Sequence, residues 1–164
     1  RLRPVTLCVL EGSVYGGATD LVLACDLALA AEGVEMRMPA AALGLHYYAS
    51  GLQRYVSRLG VSVAKRAFLT AEALDAATLL RVGYVQELHP REALPARVQA
   101  LAAHIASLSP LALETTKQSL NELARGEFDL QRLRGRIDRT MASEDFAEGR
   151  LAFAQKRKPQ WKGR

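Results

Sequence analysis

Residues 5–10, VTLCVL, form an unbroken apolar run between Pro4 and Glu11-Gly12. A run this short, with no polar alternation, predicts a strand buried on both faces. Residues 17–24 then carry a mostly apolar helical pattern, and LALAA (27–31) and EMRMP (35–39) are short enough to be strands. Strand, glycine-rich turn, helix and strand, in that order, is the grammar of a right-handed βαβ unit. Beyond Gly60 the period changes. Residues 62–69, 71–82, 91–108, 110–125 and 127–155 show helical spacing, punctuated by Gly60, Gly83, Pro90, Pro110 and Gly126. Pro110 suits a first helical turn, where its missing N–H is not needed. Ser143 followed by Glu144 and Asp145 resembles a helix start, with acids at the positive end of the dipole. The pattern predicts an α/β part over residues 1–60 and an all-helical part over residues 61–164. No internal repeat interrupts this order.

Composition narrows the class. A chain of 164 residues with 49% apolar and 24% charged positions can build one real core. No run of eighteen apolar residues occurs, so no membrane-spanning helix is expected; the expected compartment is a reducing one, the cytoplasm, as two cysteines in apolar runs suggest. The opening RLRPVTLCVLEG has too short an apolar run for a signal peptide and no small-residue cleavage site. It reads instead as a strand that starts abruptly, as if earlier sequence were absent. The net charge of +5 is spread along the chain apart from QKRKPQWKGR near the end. Without aromatic interleaving or a nucleic-acid motif, this charge points to solvation or a phosphate-bearing small molecule. Cys8 and Cys25 lie in apolar runs and read as small buried hydrophobes, with no metal-ligand spacing between them or any histidine. His46, His89 and His104 read as structural.

The chemistry worth weighing lies in EGSVYGGATDLVLACDL, residues 11–27. A helix N-terminus leaves backbone N–H groups unpaired and carries partial positive charge. Glycine there lets a ligand oxygen approach the backbone, whether a phosphate or an oxyanion. The spacing matches neither G-x-G-x-x-G nor the P-loop pattern. Taken alone, Gly16-Gly17 fits close helix–strand packing better than it fits a ligand site.

The longer stretch EGSVYGGATDLVLACDLALAAEGVEMRMPAAALGLHYYASGLQRY resembles the signature of the enoyl-CoA hydratase/isomerase (crotonase) family. FLTAEALDAATLLRVGYVQELHP, SPLALETTKQSLNE and SEDFAEGRLAFAQKRKPQWKG are similar to its later segments, so the resemblance covers essentially the whole chain. It implies a crotonase-like β-β-α spiral core, present here as its C-terminal portion, followed by a helical region that mediates assembly into a homotrimer or hexamer. An N-terminal part of the family fold, with one half of the oxyanion hole, is expected to be missing from this chain. The resemblance also implies chemistry on an acyl-CoA thioester through a stabilised enolate. No separate cofactor or metal is needed, because CoA is part of the substrate. Gly17 matches the backbone N–H donor of the oxyanion hole.

Departures from the family pattern sharpen the expectation. Asp20 occupies the place of one of two hydratase glutamates, and Ala40 stands where the second follows a proline, in PAAALG. Adding water across a double bond requires groups that position water and move its proton. Tyr47 falls where the methylmalonyl-CoA decarboxylase-like branch has an active-site tyrosine. The resemblance therefore points first to a decarboxylase of the malonyl type. A hydratase with altered catalytic groups and a catalytically silent acyl-CoA-binding or assembly subunit are the alternatives. Gly17, Asp20 and Tyr47 are the expected catalytic residues. Lys156 and Lys158 are expected at the CoA nucleotide end, with no nucleic acid or membrane partner.

Overall fold

A computed structural model describes residues 2–164. The chain divides into two compact units, Thr6–Leu101 and a second made of residues 2–5 with Ala102–Arg164.

In the first unit, β1 (Leu7–Leu10), β3 (Leu27–Ala31) and β6 (Glu87–His89) form a parallel sheet in the order β1-β3-β6. The middle strand, LALAA, is buried from Ala28 to Ala31 on both faces, which explains its continuous apolar character. Its small side chains leave room for the layers above and below. The Gln86 side chain accepts from the Ala28 N–H at 2.7 Å, and the Gln86 N–H donates to the Ala28 carbonyl at 2.8 Å. A second sheet pairs β2 (Val14–Tyr15) parallel to β4 (Glu35–Arg37), and β4 antiparallel to β5 (Ala73–Asp75).

Helix α1 (Gly17–Ala24) links β2 to β3. Its C-terminal end is secured by Arg58, which donates to the carbonyls of Cys25 and Asp26 at 3.0 and 3.2 Å. Helix α2 (Ala49–Thr70) is broken at Gly60, whose φ of 78° ends one helical segment before the next begins. Helix α3 (Ala76–Arg81) is capped by Asp75, which accepts from the Thr78 N–H at 2.8 Å. The core of this unit gathers Leu10, Val22, Leu29, Met36, Tyr55, Leu79 and Tyr84. Helix α4 (Leu94–Ala106) carries the chain onward, with Leu94 fully buried.

The second unit contains α5 (Pro110–Ala124), α6 (Leu130–Met141) and α7 (Glu144–Ala154). Each begins at a side-chain cap: Ser109, Asp129 and Ser143 accept from the N–H groups of Ala112, Arg132 and Phe146. Glu122 of α5 grips Arg136 of α6 at 2.5 and 3.0 Å. Buried Asp145 accepts from Ser109 Oγ and from the N–H groups of Lys162 and Gly163, which fastens the chain's last residues to α7.

Several expectations change. The boundary at residue 60 does not separate α/β from all-helical structure, because β5 and β6 follow it and pair with β4 and β3. Residues 71–82 hold a strand and a short helix rather than one helix, since Asp75 caps a new start inside the periodic run. The helical stretch over 127–155 is two helices, divided at residues 142–143 by the Ser143 cap. The first half of α2, residues 49–59, was not anticipated; its polar outer face hides the period. Among the described residues, no helix is long and apolar enough to cross a membrane, and no group of three or more His, Cys, Asp or Glu side chains could hold a metal ion.

Candidate active site

The first turn of α1 is built around Gly16. Its φ of 57° with ψ of −127° is open to glycine and strained for any other residue. Its N–H donates to the Arg37 carbonyl at 3.0 Å, tying the turn to β4. Its carbonyl accepts from the Thr19 N–H at 3.1 Å and from Thr19 Oγ1 at 2.6 Å. With the Thr19 hydroxyl proton committed there, the 2.5 Å bond between Thr19 Oγ1 and the Tyr55 hydroxyl is donated by Tyr55. Tyr84 donates in turn to the Thr19 carbonyl at 2.9 Å. Both tyrosines are fully buried, and burial pushes the Tyr55 hydroxyl up to about 12, so it remains a donor.

Gly17 is the first helical residue. Its N–H makes no hydrogen bond to any described residue, and a Cβ placed on it would meet nothing within 4 Å. A donor at the positive end of a helix dipole, with open space beside it, can receive an oxyanion.

Asp20, one turn along, is only 3% exposed. Arg54 of α2 grips it with two bonds, Nε to Oδ1 at 2.8 Å and Nη2 to Oδ2 at 2.5 Å. The Tyr48 hydroxyl also donates to Oδ2. Burial by itself would raise the Asp20 pKa, but the Arg54 bonds, then the Tyr48 bond and the Arg54 charge, outweigh it and hold the carboxyl below its usual range. Asp20 is thus an ionised carboxylate with both oxygens occupied.

Tyr47 does not reach Asp20 directly. Its hydroxyl donates to the Tyr48 hydroxyl at 3.4 Å, and its ring lies 4.4 Å from that of Tyr48 and 5.2 Å from that of Phe68. Burial first, then the neighbouring Tyr48 and the Asp20 charge, raise its pKa well above that of a free phenol, so it stays protonated. Gly51 makes this stacking possible. A Cβ there would stand 2.4 Å from Tyr47 Cε1 and 3.0 Å from Tyr48 Cε2. Ala40 is buried and brings no carboxylate.

Gly17 and Asp20 therefore share one helical turn, and Tyr47 connects to them through Tyr48. Sequence reasoning missed Tyr48 and Arg54. Tyr48 adjoins Tyr47, and nothing in the spacing distinguishes the two. Arg54 lies 34 positions from Asp20, and no local pattern links them. Lys156 and Lys158 are exposed on the turn after α7 in the second unit, where Lys156 takes a φ of 52°. Arg157 between them is held by Glu148 at 2.6 and 2.9 Å.

Comparison with known proteins agrees with this architecture. The family model described as enoyl-CoA hydratase/isomerase matches residues 2–164. A methylmalonyl-CoA decarboxylase of Escherichia coli is 30% identical over 98% of this chain and 63% of its own length. A 2,3-dehydroadipyl-CoA hydratase of the same organism is 32% identical over 96% of this chain and 63% of its own. The crystal structure of an enoyl-CoA hydratase from Bacillus anthracis superposes with a TM-score of 0.86 at 30% identity, over 93% of this chain and 60% of that one. The chain thus spans about 63% of the length of these curated relatives. Its two small sheets with flanking helices are a crotonase-like α/β fold. The chain belongs to the enoyl-CoA hydratase/isomerase family.

Proposed function

We propose that the protein acts on an acyl-CoA thioester as a lyase, and that its reaction is decarboxylation of a malonyl-type CoA such as methylmalonyl-CoA. The observation that carries this reading is the state of its acid. Asp20 is ionised with both oxygens occupied, and the second hydratase position is Ala40. Hydration needs a carboxylate that is available to take and return a proton. Decarboxylation needs none. The bond between the α-carbon and the departing carboxylate breaks, carbon dioxide leaves, and the electron pair passes into the thioester as an enolate. The α-carbon then takes a proton from water.

Gly17 suits the enolate oxygen, because its N–H is unspent and lies at a helix N-terminus. One such donor contributes about 2.7–4 kcal/mol to a transition state that develops negative charge. The Tyr47 hydroxyl suits the substrate carboxylate. Its bond to Tyr48, at 3.4 Å, is long and readily exchanged. In this reading Lys156 and Lys158 meet the CoA phosphates, and copies of the chain assemble as a homotrimer or a pair of trimers.

The test is turnover of methylmalonyl-CoA and of crotonyl-CoA by the purified protein, followed as product thioesters. Propionyl-CoA and carbon dioxide are the expected products, and Tyr47→Phe should lower their formation while the ring stacking is preserved. Hydration of crotonyl-CoA without decarboxylation would make the protein a hydratase. Binding of both thioesters without turnover would make it a silent subunit.

A further inference from the structure

The contacts of Asp20 extend beyond what a helix-terminal acid needs for dipole compensation. Its carboxylate is 3% exposed, and a planar guanidinium fork meets both of its oxygens. A bidentate pair fixes the plane of a carboxylate as well as its position. Arg54 remains about one-third exposed and also interacts with Tyr48. The groups facing Asp20 are Arg54, Tyr48 and Tyr47, with Tyr55 of α2 and Tyr84, which follows α3, close enough to feel its charge. Of these, Arg54 alone is a cation.

We infer that Arg54 is a positioning residue of the site, holding Asp20 as a fixed acceptor for the Tyr48 hydroxyl so that Asp20 serves as a standing charge rather than a base. The inference rests on the reading of Gly17, Asp20 and Tyr47 as one site. It follows from the direction of the hydrogen bonds. With Asp20 ionised, the Tyr48 proton points to Oδ2 and the Tyr48 oxygen accepts from Tyr47, so the single Tyr47 proton is held in a fixed direction until a substrate carboxylate exchanges for Tyr48. Without Arg54, a buried carboxylate favours its neutral form. A protonated Asp20 would donate to Tyr48 and reverse the chain. Tyr47 would then lose the acceptor that orients it.

Two readouts test this. The first is the titration of the Asp20 carboxyl followed by carbon NMR, which needs no turnover. Arg54→Gln should move that titration to higher pH, and Arg54→Lys, which keeps a cation, should leave it near the wild-type position. The second is the decarboxylation rate. In Arg54→Gln the acidic limb of kcat should move to higher pH. In both variants kcat should fall about ten- to a hundredfold through loss of the fork, with KM changed by no more than about twofold. An unmoved Asp20 titration in Arg54→Gln overturns the inference, as does an unchanged kcat in either variant. Should Arg54→Gln not be recovered folded, kcat of Arg54→Lys decides the role of the fork. If the wild-type protein does not decarboxylate, the proposed reaction falls while the NMR titration still decides the role of Arg54.

Discussion

Gly16 and Gly17 are neighbours that lack a side chain for different reasons. Gly16 holds a positive φ of 57° that L residues resist, whereas Gly17 has ordinary helical geometry with open space where a Cβ would point. Gly16→Ala should therefore lower folding stability by about 1–3 kcal/mol, read from the urea midpoint. If Gly17 holds the proposed enolate oxygen, Gly17→Ala should leave stability nearly unchanged and lower kcat/KM about a hundredfold, because a methyl group would displace that oxygen from the N–H by about an ångström. Equal effects of the two changes on both measurements would refute the division of labour. At this scale the sequence was readable where chemistry is local. Two glycines and an acid within one turn announce a helix N-terminus. The partners Tyr48 and Arg54 arrive from α2, and their meeting with Asp20 is settled by packing across dozens of residues.

Among the elements, β6 and α4 are tied by a polar cluster. Glu87 accepts from Arg97 at 2.6 and 2.7 Å and bonds His89 at 2.7 Å. The Arg97 bonds first, then His89, hold the Glu87 carboxyl down to about 2. A carboxyl whose folded pKa lies below its unfolded one stabilises above the unfolded value, and that contribution is lost as pH falls through the folded value. Glu87→Gln should accordingly be less stable than wild type at pH 7, with the difference closing between about pH 4 and pH 2 in acid-unfolding curves. A constant difference across that range would exclude the ionic origin. The turn after α7 supplies another expectation. Lys156 and Lys158 carry the proposed CoA contacts, so replacing both with alanine should weaken CoA binding and spare a short pantetheine thioester. The loss should shrink as salt is added, since exposed charges are screened. Equal weakening of both ligands would assign the lysines to folding or assembly. The strands β5 and β6 escaped the sequence reading because each has three residues, too few to display a period of two within helical surroundings.

On the scale of the whole molecule, α/β order near the start and helices near the end were legible because β1, β3 and α5 to α7 are long or strongly apolar. The division at Leu101 was not, because it depends on which short strands pair. The first unit leaves Leu21, Leu69 and Val61 exposed, and the second leaves Phe153, Leu120 and Met141 exposed. In the proposed assembly such side chains are covered between copies, and light scattering at micromolar concentration should give the mass of a trimer or hexamer; a monomer would refute the proposed assembly. A last consequence concerns time. Helix α1 has eight residues, too few to persist alone in water. Its first turn is clamped by Tyr55 and Tyr84, which lie 36 and 65 positions later. Loop-closure entropy must be overcome before those clamps act. In refolding followed by pulsed hydrogen exchange, amides of α1 should gain protection together with those around Tyr84 and later than those of the long helix α2; protection of α1 ahead of α2 would show that the turn bearing Gly17 forms without these distant clamps.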